Sequence, residues 1–157
     1  MKQRVYIETS IVSYLTSRPS RDMVIAAHQE LTRQWWETRA CSFDLLVSEL
    51  VREEAARGDV EASGTRMSAI EKLPILGTSN EAVLLAEQLV SSGPIPQEYG
   101  ADALHIAVSA VNGIEYLLTW NCKHLANAAH RNRIEVLVEA AGYACPVICT
   151  PEELMED

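Results

Sequence analysis

Four polar residues stand where an apolar framework would bring them together: Glu8, Glu49, Asp102 and Asn121. Glu8 directly follows the run Val5-Tyr6-Ile7, and Thr9 and Ser10 follow it. Glu49 comes just after the run Ser42–Val47, at the opening of a helical segment. Asp102 lies in a stretch that Ala103, Leu104, Ile106, Ala107, Val108, Ala110 and Val111 make apolar almost all round. Its polar exceptions, Asp102, His105 and Ser109, fall at i, i+3 and i+7, one narrow stripe on a helix that should be buried. A buried carboxylate is costly unless a cation, a proton or a metal answers it. Asn121 sits two residues beyond the run Tyr116–Thr119. Taken singly, Glu8 and Glu49 also read as first-turn acids and Asn121 as a turn residue. Four such groups at the ends of different elements point to one shared site.

Charge decides what that site would do. Three carboxylates (Glu8, Glu49 and Asp102) within about 4 Å of one another repel by several kcal/mol per pair at an effective dielectric near 20. Divalent cations relieve the repulsion, and hard oxygen ligands select Mg2+ or Mn2+. Such ions lower the pKa of a bound water and hold a phosphate for in-line attack. Nucleophile chemistry is less well served, since neither Ser10 nor Ser109 has a His–Asp partner set by spacing. His105 reads as a satisfied core or supporting residue. No glycine-rich phosphate loop of the G-x-x-x-x-G-K-[ST] or G-x-G-x-x-G kind is present.

The elements that must position these groups alternate. Val5–Ile7, Ser42–Val47, Tyr116–Thr119 and Val147–Cys149 read as strands. Met23–Trp36, with Val24, Ala27, Leu31 and Trp35 on one face, reads as a helix. So do Ser48 to Arg57, Glu81–Val90 behind a capping box at Thr78, Ala101–Val111, and Ala126–Ala140, with Thr150-Pro151-Glu152-Glu153 starting a short terminal helix. Alternation of this kind predicts an α/β fold around a parallel sheet, whose ligands sit at the carboxyl ends of the strands. At 157 residues and 48% hydrophobic content, one domain spanning residues 1–157 can build a true core. The formal charge of −9 opposes nucleic-acid binding through net charge, so a polyanion would have to meet a local basic patch or metal ions. No apolar run is long enough to span a membrane, and the N-terminal stretch, interrupted by Glu8, does not read as a signal peptide. The four cysteines (41, 122, 145 and 149) are expected to be free and mostly buried thiols in the cytoplasm.

Tyr6-Ile7-Glu8-Thr9-Ser10, Val47-Ser48-Glu49-Leu50, Gly100–Ala107 and Leu117–His124, in this order and spacing, resemble the PIN-domain family, in particular the VapC-like toxins of bacterial toxin–antitoxin pairs. The A-D-A-L block followed by L-L-T is the most telling piece. The resemblance covers nearly the whole chain. It implies a three-layer PIN-like fold, a Mg2+- or Mn2+-dependent endoribonuclease, a homodimer, and an antitoxin that blocks the site. Glu8, Glu49 and Asp102 would hold the metal, which activates water for attack on an RNA phosphodiester, with Asn121 assisting. Two positions depart from the family's pattern: Glu8 stands where Asp is usual, and Asn121 where a fourth acid is common. A second ion would then bind weakly or arrive with the substrate.

Thr9, Ser10, Trp120 and Lys123 are the candidate substrate contacts, Trp120 by stacking on an exposed base. His124, His130, Arg131 and Arg133 extend a stretch without acids up to Glu135. Glu53 and Glu54 are expected to face solvent, although Glu53, one turn past Glu49, is placed to support the metal shell. Two rival readings stand beside the nuclease. One is a catalytically attenuated PIN-like module that binds RNA or protein, favoured by the two departures and the acidic charge. The other is a phosphatase on the same acidic edge.

Overall fold

The computed structural model describes residues 1–156. Five parallel strands form one sheet: β1 (Arg4–Ile7), β2 (Asp44–Ser48), β3 (Ile75–Leu76), β4 (Tyr116–Leu118) and β5 (Val147–Cys149), in the order β3-β2-β1-β4-β5. Helices connect them: α1 (Thr9–Thr16) and α2 (Met23–Thr38), then α3 (Glu49–Ala55) and α4 (Val60–Ile70), α5 (Asn80–Ser91) and α6 (Gly100–Val111), and α7 (Ala128–Ala140). β1 is central and covered on both faces, which is why Val5, Tyr6 and Ile7 are all fully buried and its sequence runs apolar without alternation. The α/β fold expected from the sequence is the one observed.

The strand order reverses at β1. After β1 the chain builds outward through β2 and β3, then returns to place β4 on the other side of β1. Tyr6 pairs with Leu46 on one side and Leu117 on the other. Folds of this type leave a crevice beyond the carboxyl ends of the strands at the reversal. Glu8 leaves β1 at that point, its N–H donating to the Leu118 carbonyl at 3.1 Å.

Several local expectations are revised. Thr9 and Ser10 open helix α1, whose extent the sequence did not delimit, with Glu8 as its N-cap and Ile11 and Val12 buried. Glu is an unusual cap and β-branched residues favour strands, so the local signal was poor. α4 and β3 escaped the sequence reading altogether. The first buries only Ile70 and the second is two residues long. α2 buries Gln29, Thr32 and Trp35, whereas Val24 is exposed on its first turn. Gln29 is tolerated inside because its amide joins the Ser20 N–H and the Arg18 carbonyl. α5 is capped by Ser79, whose hydroxyl accepts from Ala82 N–H, not by Thr78. At the end of the chain Glu153 and Thr150 do exchange capping hydrogen bonds. Only tight i→i+3 bonds follow, from Leu154 to Pro151 and from Met155 to Glu152, so a turn forms and not a helix. All four cysteines are free, but only Cys149 is buried, while Cys41 and Cys122 are exposed.

Candidate active site

Glu8 is held by its own loop and by the strand beside it. Its carboxylate accepts from Ser10 N–H at 3.1 Å, from the Ser10 hydroxyl at 2.5 Å and from the Thr119 hydroxyl at 2.5 Å. Ser10 Oγ in turn accepts the Trp120 N–H at 2.8 Å. This lattice ties the end of β1 to the end of β4 across the reversal and leaves Glu8 only 6% exposed. Thr119 appears here as a site residue that the sequence reading did not single out. Its signal was a polar residue closing the apolar run Tyr116–Leu118.

His105, fully buried on α6, is the hub. Its Nε2 lies 2.7 Å from Glu54 Oε1 and 4.0 Å from Glu8 Oε2. Its Nδ1 lies 2.7 Å from the Tyr6 hydroxyl, which is 2.7 Å from Ser48 Oγ. Ser48 is the N-cap of α3 and accepts the Val51 N–H. Glu54 also accepts the Thr9 hydroxyl at 2.6 Å. Among the described residues Glu8, Glu54 and His105 form the one group whose ligand atoms all lie within 4.8 Å of one another.

The structure thus brings Glu54, not Glu49, to Glu8. Glu49 is exposed at the start of α3, its Oε1 about a van der Waals contact from the side of Gly77. The reason is rotation. Val51 and Ala55 are the buried residues of α3. At about 100° per residue Glu54 lies roughly 80° from the centre of that face and Glu49 roughly 140°. Glu54 is half-buried rather than solvated, and Glu53 is exposed.

Asp102 occupies the same stripe of α6 as His105. Its Oδ2 lies 2.8 Å from His124 Nδ1, and His124 packs against the Tyr99 ring at 4.0 Å. Asn121 stabilises the loop after β4, its Oδ1 accepting His124 N–H at 3.1 Å and its carbonyl accepting from Leu125 and Ala126. Its side-chain oxygen therefore caps a turn, the simpler of the two roles open to it in the sequence. Trp120 does not stand free for a base. It is buried, with His28 stacked on it at 4.0 Å and its indole N–H donated to Thr32 at 2.7 Å. An indole N–H drawn inside needs such a partner, and the covering His28 closes one ring face. Thr9 and Ser10 have their hydroxyls on the site carboxylates. Lys123 is exposed, its ammonium 5.3 Å from the centre of the Tyr99 ring. Arg131 is engaged with Glu153 through two 3.1 Å contacts.

Electrostatics centre on His105. Burial pulls its pKa down, but the Glu54 hydrogen bond and the charges of Glu8, Glu54 and Asp102 outweigh this and leave it above 6.5. Burial pushes Glu54 up, yet His105, the Thr9 hydroxyl and Arg57 together hold it below its ordinary value. Burial raises the Tyr6 phenol far above its usual range against the lowering bond to Ser48, with Glu8 and Glu54 adding to the rise, so it stays neutral. Two carboxylates no more than 4.8 Å apart would repel by at least about 3.5 kcal/mol at an effective dielectric near 20, which a cation between them relieves. The donor set fits a divalent ion. Glu8 accepts three hydrogen bonds of the roughly four its carboxylate can take, and its Oε2 is the oxygen nearer to His105. The apolar groove of about 540 Å³ between α5 and α6, lined by Val83, Val90 and Leu104, contains none of these groups.

No family model matches the sequence, and no curated protein does. Solved structures do match. VapC20 of Mycobacterium tuberculosis, described as a sarcin-ricin loop cleaving toxin, aligns over 89% of this chain and 96% of its own at a TM-score of 0.57 and 14% identity. VapBC2 from Rickettsia felis, solved bound to a DNA fragment from its promoter, aligns over 94% and 98% at a TM-score of 0.59 and 14% identity. The likeness spans nearly the full length of this chain and of both structures. The chain has the PIN-like α/β fold of the VapC toxins.

Proposed function

We propose that this protein is a metal-dependent endoribonuclease, the toxin of a toxin–antitoxin pair. The observation that carries the reading is the convergence of Glu8, Glu54 and His105 at the strand reversal, with Asp102 on the same stripe of α6. The VapC20 likeness supports the ribonuclease, and the VapBC2 likeness supports a cognate antitoxin. A homodimer acting in the cytoplasm completes this reading. No described helix is long and apolar enough to cross a membrane.

Glu8, Glu54 and Asp102 would hold the ion, Mg2+ or Mn2+. When bound, it supplies the Lewis acidity that makes water a nucleophile at neutral pH and polarises the phosphate. The rest is done by the chain. Ser10 and Thr119 fix the Glu8 carboxylate by three donors, so it presents one orientation. Thr9 does the same for Glu54. His124 holds one oxygen of Asp102. Lys123, exposed on the loop after β4, would meet a phosphate of the RNA backbone.

The test is cleavage of a mixed RNA pool by purified protein in Mn2+, Mg2+ or EDTA, beside Asp102→Asn and Glu54→Gln. Cutting that needs metal and disappears in both variants is the expected result. Cutting that survives both would sink the assignment. One observation favours the second reading, a binding module without turnover: the Asn121 amide oxygen caps a turn and brings no fourth charge to the site. Metal binding with no cleavage of any RNA would select it.

A further inference from the structure

We infer that His105 is itself a metal ligand, its Nε2 adding a nitrogen donor beside the carboxylates of Glu8 and Glu54 and so making a mixed set that prefers Mn2+ to Mg2+. The inference rests on the metal site proposed above and adds a donor of a different kind. Nε2 faces the space between the two carboxylates, 2.7 Å from one and 4.0 Å from the other. Donors at about 2.1 Å from one ion lie roughly 3.0 Å apart when adjacent and 4.2 Å when opposite. The two separations from Nε2 need to change by only a few tenths of an ångström, while the carboxylate oxygens, which lie within 4.8 Å of each other, would have to draw together around the ion.

The other side of the ring is built to match. A ligating histidine commonly donates its second N–H to a fixed acceptor, which sets the tautomer and the ring plane. Here Nδ1 meets the Tyr6 hydroxyl at 2.7 Å, and the Tyr6 O–H can donate a hydrogen bond onward to Ser48 Oγ. Tyr6 lies in the central strand and Ser48 at the end of β2, so the acceptor is anchored in the sheet. His105 is further fixed through its carbonyl, which accepts the Ser109 hydroxyl at 2.8 Å. A histidine that served only to fill the core would need none of these alignments towards two acids. Binding replaces the Nε2 proton, which leaves to solvent, with the ion. Imidazole nitrogen suits transition ions, whereas Mg2+ is best served by oxygen alone.

Pulsed electron paramagnetic resonance of the Mn2+-loaded full chain reads the bond directly. The wild type should show 14N modulation from a coordinated imidazole, absent in His105→Gln and retained in His124→Gln. Calorimetry should show His105→Gln losing at least about tenfold in Mn2+ affinity, with a smaller loss for Mg2+. Tyr6→Phe should keep the nitrogen signal and weaken Mn2+ by about tenfold. If His105→Gln does not fold, the wild-type spectrum still decides. Bound Mn2+ without 14N modulation, or modulation lost only with His124, overturns the inference and leaves an oxygen-only nuclease site standing. No Mn2+ binding at all overturns both.

Discussion

Replacing Glu54 by Gln removes the charge that faces His105 and tests the geometry of the site without metal. The pair sits at 2.7 Å, with side chains 22% and 1% exposed. Hydrogen bonds to charged groups contribute about 1.5–3 kcal/mol, and we expect a loss of that size where both groups are charged. The sign of the pH dependence follows from the two shifts. His105 is raised above 6.5, so its contribution is complete below that value and fades as pH rises through the folded pKa. Glu54 is lowered from 4.5, so its contribution is complete above that value and fades as pH falls through the folded pKa. The window of full effect is therefore pH 4.5 to 6.5. At about 2–4 °C per kcal/mol for a chain of this size, the melting temperature of Glu54→Gln should fall by roughly 3–12 °C at pH 5.5. The difference from wild type should shrink as pH rises through the folded pKa of His105, because a neutral His105 no longer needs the charge. Glu49→Gln, at an exposed position, should stay within about 0.5 kcal/mol of wild type across the same range. Melting curves of the three proteins over that pH range are enough. Equal losses from Glu49→Gln and Glu54→Gln, or a Glu54→Gln loss independent of pH, would refute the reasoning.

Three further outcomes follow from the structure. Trp120→Ala should destabilise the fold by about 3–5 kcal/mol in urea titration, since it removes a buried indole and leaves Thr32 without its donor. RNA affinity of the folded fraction should change little. Lys123→Ala should leave the melting temperature unchanged while weakening RNA binding uniformly and reducing the salt dependence by about one phosphate contact, measured by fluorescence titration at several salt concentrations. Alkylation at pH 8 should label exposed Cys41 readily and spare Cys149, whose thiol burial pushes up to about 12, until denaturant is added; peptide mass mapping distinguishes the two.

Much of this architecture is written locally. An uninterrupted apolar run at Val5–Ile7 marks a strand buried on both faces, and the acid that ends it marks the carboxyl edge of the sheet. The stripe of Asp102, His105 and Ser109 in an otherwise apolar helix marks groups that must find partners inside. Period and polarity carry that information, and both belong to the chain before it folds. The choice between Glu49 and Glu54 is of another kind. Both lie on α3, and only the docking of Val51 and Ala55 against the core turns one towards Glu8 and the other to solvent. The periodicity of Val51 and Ala55 was the one local signal that could have found Glu54. Trp120 and Asn121 followed the same rule. Their types allow stacking or ligation, but Thr32, His28 and His124, brought from distant positions or fixed by the loop's own turn, engage them first. Residue type and spacing determined which groups must meet something; the rotation of helices and the closure of β4 against β1 decided what they meet, because those depend on packing across the whole chain.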